Sequence, residues 1–349
     1  MSFEKHRTTE QEIDEQLLET FPASDPPSWT LGHDSDRDFM KAMVINSYGG
    51  PEQLHYENVP IPEVNEGEIL VKVLGASVNP IDCKLASGAL RPVMNNMAVA
   101  LPWIPGCDFC GIIEAVGKDI LEFKKGDEVY GNCPSGGAYA QYVKVKAEWI
   151  SPKPLRLEFL QAAVVPVAGL TAWQGLFNYG CLEKGQTVLI HGGAGGVGSF
   201  AIQLACWKNA RVIATGSFDH LEYLKELGAD EVVDYKAVAF ETIAKNVDLV
   251  LDLVGGETQQ RSFKVIKPGG VLVSTISPPS PEVIKEYKIN ALMMTMKPLP
   301  EHLKKMTELI MEGEIKTHVS KVYYLTEAQE AWSDVLSHHT KGKIVLEVS

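Results

Sequence analysis

The sequence predicts an α/β protein that combines a mostly antiparallel β unit with a doubly wound parallel sheet. Between residue 40 and about residue 150, short apolar runs are separated by Gly, Pro, Asn or Asp, which is typical of strands joined by turns. From about residue 160, strand and helix patterns alternate, which favours parallel strands with crossover helices. A chain of 349 residues is long enough for two hydrophobic cores, so we expect two domains.

The predicted elements follow this division. In the first unit the predicted strands are 42–45, 68–73, 111–116, 128–130 and 139–143. In the second unit the predicted order is helix 158–177, strand 187–191, a helix from residue 200, strand 211–215, helix 220–227, strand 231–233, helix 239–245, strand 248–252, helix 258–266, strand 270–274 and helix 301–312. Strands 319–324 and 343–348 return to the first pattern, and we expect them to rejoin the first unit.

Charge and hydrophobicity limit the partners and the location. The net charge of −13 argues against nucleic acid, which requires clustered Lys and Arg. The chain lacks the run of roughly 18 apolar residues that a membrane span requires. Residues 1–40 hold ten acids and three bases, so they resemble neither a transit peptide nor a secretory signal. We therefore predict a cytoplasmic protein with an acidic N-terminal extension, residues 1–40, whose role the sequence does not assign.

Six cysteines in a chain without a secretory signal predict reduced thiols. Cys107 and Cys110 form a single C-x-x-C pair. Side chains three apart along a strand point to opposite faces, which disfavours joint metal or redox use. We expect buried thiols rather than a metal site or a disulfide.

A glycine-rich turn between a strand and a helix predicts a dinucleotide site. The apolar run 188–190 leads into the segment 191–198, and the apolar periodicity of a helix begins at Phe200. We expect Gly193 to permit the tight turn, Gly195 to let backbone N–H groups approach a pyrophosphate, and Gly198 to let the helix pack on its strand. The helix N-terminus favours an anion. The predicted cofactor contacts of this turn are Gly193, Ala194, Gly195, Gly196, Val197 and Gly198.

Several ordered motifs outside the glycine turn make the chain resemble a known superfamily. They are 77–82, 104–108, 111–117, 126–129, 169–172, 227–230, 233–235 and 341–346. Together with the turn, they resemble the medium-chain dehydrogenase/reductase superfamily in its zinc-lacking quinone oxidoreductase (zeta-crystallin-like) branch. The resemblance implies a GroES-like catalytic domain, 41–160 with 314–349, and a Rossmann cofactor-binding domain, 161–313.

The resemblance also indicates that this chain has no catalytic zinc. Zinc-dependent relatives hold the metal through a Cys, a His and a second Cys or Asp, and those positions correspond here to Asn79, Cys107 and Val167. One possible ligand of three does not make the open three-ligand site that catalytic zinc requires. The four closely spaced cysteines of the structural zinc lobe are missing as well. We expect no metal.

Without a Lewis acid, hydride delivery to an already polarised C=C–C=O system remains feasible. The resemblance therefore implies reduction of a quinone or an α,β-unsaturated carbonyl, with hydrogen-bond donors stabilising the enolate or quinol oxygen and solvent supplying the final proton. The predicted site residues facing the nicotinamide are Asn79, Lys84 and Thr171. A turn before proline, a surface charge and a helix cap, respectively, are the alternative interpretations of these residues. Leu90, Met94, Met97 and Trp103 suggest an apolar substrate pocket, or ordinary packing.

The end of strand 211–215 favours NADPH over NADH. It is followed by Gly216 and Ser217 instead of the acid that binds the ribose hydroxyls of NAD, although Asp219 lies nearby. By resemblance, Ser217, His220 and Tyr235 surround the 2′-phosphate. His220 stands where relatives have Lys or Arg, which weakens this prediction because a neutral imidazole carries no charge. The resemblance further places Val254 and Ser274 near the nicotinamide and Lys343 near the phosphates.

Two other functions and a quaternary structure complete the sequence interpretation. One alternative is an alcohol dehydrogenase, which the missing zinc ligands disfavour. Another is a cofactor-binding scaffold or regulatory protein with little turnover, which intact glycines allow equally well. Strand 270–274 resembles the edge through which relatives dimerise, so a homodimer is expected.

Overall fold

The computed structural model describes residues 38–90, 99–337 and 339–349. Residues 1–37, nearly all of the predicted acidic extension, lie outside these described residues. In chain order the strands are β1 (Phe39–Ile45), β2 (Leu54–Pro60), β3 (Glu68–Ser77), β4 (Asp108–Val116), β5 (Glu128–Asn132), β6 (Tyr142–Lys146), β7 (Ile150–Pro152), β8 (Thr187–Ile190), β9 (Arg211–Gly216), β10 (Glu231–Asp234), β11 (Val247–Asp252), β12 (Ile266–Ser274), β13 (Asn290–Met293), β14 (Val319–Tyr324) and β15 (Lys343–Glu347). The α-helices are α1 (Pro80–Ala86), α2 (Phe159–Ala163), α3 (Pro166–Trp173), α4 (Gly196–Trp207), α5 (Leu221–Glu226), α6 (Gly256–Ser262), α7 (Pro281–Tyr287), α8 (Pro300–Glu312) and α9 (Ala328–Leu336).

The first unit is a β domain built on a seven-stranded sheet. Its order is β14-β15-β3-β4-β5-β7, with β6 also paired to β3, and every pair except β14–β15 is antiparallel. Apolar residues from this sheet pack with the separate β1–β2 pair and with α9, whose Trp332 is fully buried. Because β15 lies between β14 and β3, the C-terminal strands are part of this sheet.

The second unit is the predicted doubly wound sheet. Its six strands are parallel in the order β10-β9-β8-β11-β12-β13, and apolar clusters cover both faces. The strand order reverses between β8 and β11, which is the point where ligands bind beyond the carboxyl ends of the strands. The fold therefore places the glycine turn after β8 and the loop after β11 at one crevice.

Several element boundaries differ from the sequence expectation. The predicted helix 158–177 is wrong as a single helix: α2 ends at Ala163, α3 starts at Pro166, and a π-helical segment follows at Gln174–Tyr179. Pro166 lacks an N–H to continue a preceding helix and instead occupies the first turn of a new one. The predicted strand 139–143 lies a few residues later, at β6.

The prediction that strand 270–274 lies at the edge of the sheet, where relatives dimerise, is also wrong. Those residues belong to β12, which pairs with β11 on one side and β13 on the other. Among the described residues, the strand that ends the sheet on that side is β13. Sequence reasoning missed β13 because Asn290–Met293 is short and its apolar residues do not alternate with polar ones.

Candidate active site

The glycine loop connects β8 to α4 with a sharp turn that faces β9. Gly192 carries the left-handed conformation, with φ +69°, so the tight turn depends on Gly192 and not on Gly193 as expected. The N–H of Gly193 donates to the carbonyl of Thr215 in β9 at 2.9 Å. Gly195 is the N-cap of α4 and makes no side-chain cap hydrogen bond. The first turn of α4 therefore faces the crevice with free backbone N–H groups.

The space around each glycine shows which positions of the loop are closely packed and which leave room for another group. A Cβ on Gly198 would lie 2.3 Å from the carbonyl oxygen of Gly192, so only glycine permits this close approach of helix and turn. A Cβ on Gly193 would lie 3.0 Å from Leu224 Cδ2 in α5. At Gly195 the nearest atom would be 3.5 Å away, which leaves its outer side open. The loop is thus tightly packed at Gly193 and Gly198 and more loosely packed at Gly195.

The loop after β11 is organised by the buried Asp252. Its Oδ1 accepts hydrogen bonds from the N–H groups of Val254 and Gly255, at 3.1 and 2.8 Å. Its Oδ2 accepts from the Ser274 hydroxyl at 2.8 Å. Val254 is half exposed as a result, whereas Ser274 is fully buried. These contacts bring the two predicted nicotinamide-side residues, Val254 and Ser274, to adjacent strand ends.

The predicted 2′-phosphate residues come together at the end of β9. Ser217 follows β9 and its Oγ lies 3.2 Å from Nδ1 of His220. The N–H of Tyr235 donates to the carbonyl of Gly216 at 3.2 Å, and the Tyr235 ring is half exposed. Asp219 is exposed in the same turn. The Ser217 hydroxyl and the His220 imidazole are therefore adjacent, and the backbone of Tyr235 is bonded to the end of the same strand.

A buried polar network lies on the opposite side of the glycine loop, around Asp108. The carboxylate accepts hydrogen bonds from Ser77 Oγ at 2.7 Å, from Asn79 Nδ2 at 3.0 Å and from the backbone N–H of Val167 at 2.8 Å. Lys343 Nζ lies 3.8 Å from Asp108 Oδ2. Because Asp108 is fully buried, these donors and the ammonium supply the stabilisation that water gives elsewhere.

Lys343 is buried rather than exposed towards the crevice. Its ammonium donates to the carbonyl of Val78 at 3.0 Å and to Asn79 Oδ1 at 2.5 Å. Burial lowers the pKa of Lys343, and the carboxylates of Asp108 and Asp82 oppose that effect. Lys343 was expected near the phosphates, but its ammonium is directed to Asn79 instead.

A second buried carboxylate, Asp82, lies beside this network. It accepts from the N–H of Asn79 at 2.9 Å and from the Tyr139 hydroxyl at 3.2 Å. Burial raises the pKa of Asp82 to about 6. Burial, together with Asp82 and Asp108, also raises the pKa of Cys107, which keeps this thiol protonated at neutral pH.

The remaining predicted site residues lie at different depths. Thr171 is buried within α3. Lys84 is half-buried in the last turn of α1, and its ammonium makes no hydrogen bond or ion pair with the described residues, so its role stays a prediction. Trp103 is buried and donates through Nε1 to the carbonyl of Ser135, and Leu90 is partly buried against the same apolar cluster, as the packing alternative expects. Met94 and Met97 lie outside the described residues.

Sequence reasoning missed the three acids that organise the site. Asp82, Asp108 and Asp252 are each fully buried and each holds a residue that was predicted. Position along the chain gives no clear signal for these acids, because other acids that begin or end strands, such as Glu128 and Glu347, are exposed. Asp108 and Asp252 begin and end strands in this way, and Asp82 stands three residues after the N-cap Asn79.

The three positions that hold zinc in metal-dependent relatives are close together here without forming a metal site. Asn79 and Val167 both donate to Asp108, and Cys107 precedes it in the chain. No group of three His, Cys, Asp or Glu side chains across the described ranges is arranged to hold a metal ion. In the same ranges, no helix combines the length and apolar character needed to cross a bilayer.

Comparison with known proteins identifies the family. The profile of the alcohol dehydrogenase GroES-like domain matches residues 65–155, and that of the zinc-binding dehydrogenases matches residues 227–346. The chloroplast envelope quinone oxidoreductase homolog of Arabidopsis thaliana is 33% identical over 333 residues, covering 88% of this chain and 98% of that relative. The chain belongs to the medium-chain dehydrogenase/reductase superfamily, in its zinc-lacking, quinone oxidoreductase-like branch.

Two further relatives show what this branch contains. The chloroplastic NADPH-dependent alkenal/one oxidoreductase of Arabidopsis thaliana is 31% identical over 355 residues, covering 96% of this chain and 87% of that relative. The solved quinone oxidoreductase from Coxiella burnetii is 36% identical and superimposes with a TM-score of 0.82, covering 89% of this chain and all of that structure. The predicted superfamily and the two-domain fold class are thereby confirmed.

Proposed function

We propose that this protein is an enzyme that uses NADPH to reduce quinones or α,β-unsaturated carbonyl compounds by direct hydride transfer. The observation that carries the proposal is the Asn79 amide, held between Asp108 and Lys343 beside the glycine loop. A hydrogen-bond donor stands there at a position that binds catalytic zinc in metal-dependent members of the superfamily. The relatives named as quinone and alkenal/one oxidoreductases support the same reaction class.

The crevice fits a dinucleotide phosphate. The open side of Gly195 and the free N–H groups at the start of α4 suit a pyrophosphate. We assign the pyrophosphate to residues 193–198, the 2′-phosphate to Ser217, His220 and Tyr235, and the nicotinamide side to Val254 and Ser274. When bound there, NADPH supplies the hydride and the protein supplies orientation and electrostatics.

The chemical task of the protein is to stabilise negative charge on the substrate oxygen. Hydride addition to an enone or quinone places charge on an oxygen, which becomes an enolate or a quinol anion. Asn79 Nδ2 uses one N–H on Asp108, and the described residues offer its second N–H no acceptor. We assign this second N–H to the substrate oxygen and the Thr171 hydroxyl to the same cleft, while solvent delivers the final proton.

A turnover screen tests this function. NADPH oxidation is followed by its absorbance with a series of quinones, enals and enones, and simple alcohols plus NADP⁺ serve as the contrasting class. Turnover of the first group is the expected result. Turnover of alcohols alone would indicate an alcohol dehydrogenase, and tight NADPH binding without turnover of any compound would indicate a scaffold; either outcome defeats the proposal.

We also propose that the protein contains no zinc, forms a homodimer and resides in the cytoplasm. The donor set around Asp108 supports the first point. For the dimer, β13 pairs with no further strand among the described residues, so its outer edge is suited to pairing with a second copy. An Asn290→Lys substitution, at the exposed start of β13, should shift the molar mass from dimer to monomer in light scattering. Imaging of a fluorescent fusion of the full chain tests the location.

A further inference from the structure

Lys343 connects two parts of the proposed site that belong to different units. Its alkyl stem passes over the glycine loop: a Cβ on Gly196 would lie 2.5 Å from Lys343 Cδ and 3.0 Å from Cγ. Just before it, the N–H of Gly342 donates to the carbonyl of Ala194 at 2.8 Å. The ammonium then extends away from this loop to Val78 and Asn79 at the start of α1.

The charges on either side of Asn79 fix the orientation of its amide. The oxygen faces a positive ammonium at 2.5 Å and the nitrogen faces a negative carboxylate at 3.0 Å. The reverse orientation would oppose NH₂ to the ammonium and oxygen to the carboxylate, which leaves like partners facing each other. Withdrawal of electron density by the ammonium also makes the N–H groups better donors.

Lys343 has little freedom to act elsewhere. It is 6% exposed, two of its three donors are engaged, and its charge offsets the buried Asp108. Turning the ammonium towards a phosphate would leave Asp108 without its nearest cation and Asn79 Oδ1 without a donor. The contacts therefore favour a role through Asn79 over a direct contact with the cofactor.

We propose that Lys343 is a positioning residue: it orients and polarises the Asn79 amide so that an N–H faces the substrate oxygen, and it ties that amide to the glycine loop. This inference rests on the proposed function of Asn79 and adds the element that holds it. The part of Lys343 that touches the cofactor loop is its alkyl stem, and the part that acts on the reaction is its ammonium.

The contact itself is tested without turnover. In protein labelled with ¹⁵N-asparagine, the side-chain amide pair of Asn79 is assigned by its loss in Asn79→Ala. Lys343→Met keeps the stem and removes the ammonium, and it should move this pair in both the free and the NADP⁺-bound protein. The matched control is Lys321→Met. Lys321 is an exposed lysine on the neighbouring strand β14 that pairs with Asp334, and its substitution should leave the Asn79 signals in place.

Kinetics then separate positioning from cofactor binding. In Lys343→Met we expect kcat to fall about 10-fold to 100-fold, as for loss of one charge-assisted hydrogen bond in the transition state, with the Kd for NADPH unchanged. In an Asn79→Ala background the same substitution should cause no further loss, because both act through one amide. If Lys343→Met does not fold, the double variant with Asp108→Asn replaces it, because it removes both buried charges together.

Each outcome decides one point. An unmoved Asn79 signal in Lys343→Met, a raised Kd for NADPH with unchanged kcat, or losses that multiply with Asn79→Ala would each overturn the positioning role. If Lys343→Met moves the Asn79 signal but the wild-type protein reduces no quinone or enone, the proposed function is overturned. The Lys343–Asn79 contact is still established in that case.

Discussion

The backbone N–H of Val167 donates to Oδ1 of Asp108 at 2.8 Å. This bond occupies one oxygen of the carboxylate, and Ser77 and Asn79 occupy the other. Both oxygens therefore accept hydrogen bonds from protein donors, and the Lys343 ammonium lies 3.8 Å from Oδ2, so the buried charge is already compensated. This arrangement leads to a prediction about the zinc content of the protein.

We expect purified protein to contain no stoichiometric zinc, because its candidate ligands are an amide, a protonated thiol and an apolar side chain. Dialysis against a chelator should leave the rate of NADPH oxidation unchanged. Elemental analysis before and after dialysis checks the first point and the rate checks the second. One zinc per chain, removed together with activity, would contradict the proposed mechanism.

Replacing Asn79 by Ala should slow the reaction without weakening the cofactor. Loss of one preorganised donor to a developing oxyanion typically lowers kcat about 100-fold. The Kd for NADPH, measured by fluorescence titration, should not change because the glycine loop is untouched. Asn58→Ala, an exposed asparagine on β2, is the matched control. Normal turnover in Asn79→Ala would remove this residue from the mechanism.

His220→Asp should reduce the preference for NADPH. A carboxylate beside the 2′-phosphate would repel it, and we expect kcat/KM for NADPH to fall at least about 10-fold. The same value for NADH should change little, since NADH lacks that phosphate and serves as the internal control. The two kcat/KM values check this prediction, and an equal loss for both cofactors would argue against the assigned subsite.

The buried His191 should make stability depend on pH. Burial lowers the pKa of His191 to about 4, and its ring nitrogens contact Thr215 and Ser262. The unfolded state takes up a proton as pH falls below the ordinary histidine pKa, so the contribution of His191 to stability rises with pH between about 4 and 6.5.

The size of this effect follows from the same pKa difference. On going from pH 7 to pH 5, His191 should lower the free energy of unfolding by about 2 kcal/mol. Urea titrations of wild type and His191→Gln at both pH values should show that difference, while the exposed His55→Gln should not. A wild-type change from pH 7 to pH 5 equal to that of His191→Gln would show that His191 does not carry it.

Thiol reactivity should be confined to the surface. Cys181 is exposed, Cys206 is partly buried, and the other four cysteines, Cys83, Cys107, Cys110 and Cys133, are buried with raised pKa. Because the thiolate is the nucleophile, iodoacetamide at pH 7.5 should label Cys181 first. Peptide mass spectrometry locates the label, and Cys181→Ser should lose it. Fast labelling of Cys107 in the native protein would contradict the described burial.

Sequence alone predicted the parts of the fold that depend on local pattern. The glycine turn, the parallel strands and the return of 343–348 to strand structure follow from periodicity and from residues with special backbone freedom. The break at Pro166 and the short strand β13 were missed because their boundaries depend on tertiary packing.

The candidate site was predicted less completely than the fold. Asn79 was predicted from a motif, Ser217 from the end of a strand and Ser274 from the resemblance, but the carboxylates that accept hydrogen bonds from Asn79 and Ser274 were not predicted. Lys343 was expected beside the phosphates, and its charged end faces Asn79. The direction of a long side chain depends on buried partners from distant segments, here 264 residues apart, which no local pattern reports.

The interior position of β15 sets the order in which the two units are completed. Residues 75–77 of β3 are made early, yet their partner strand is Lys343–Glu347. The parallel sheet from β8 to β13 needs no such distant segment, so we expect amides of β11 to gain protection before those of β4 when refolding is followed by pulsed hydrogen exchange. The crevice between the units then forms last, and acquisition of NADPH affinity marks the end of folding.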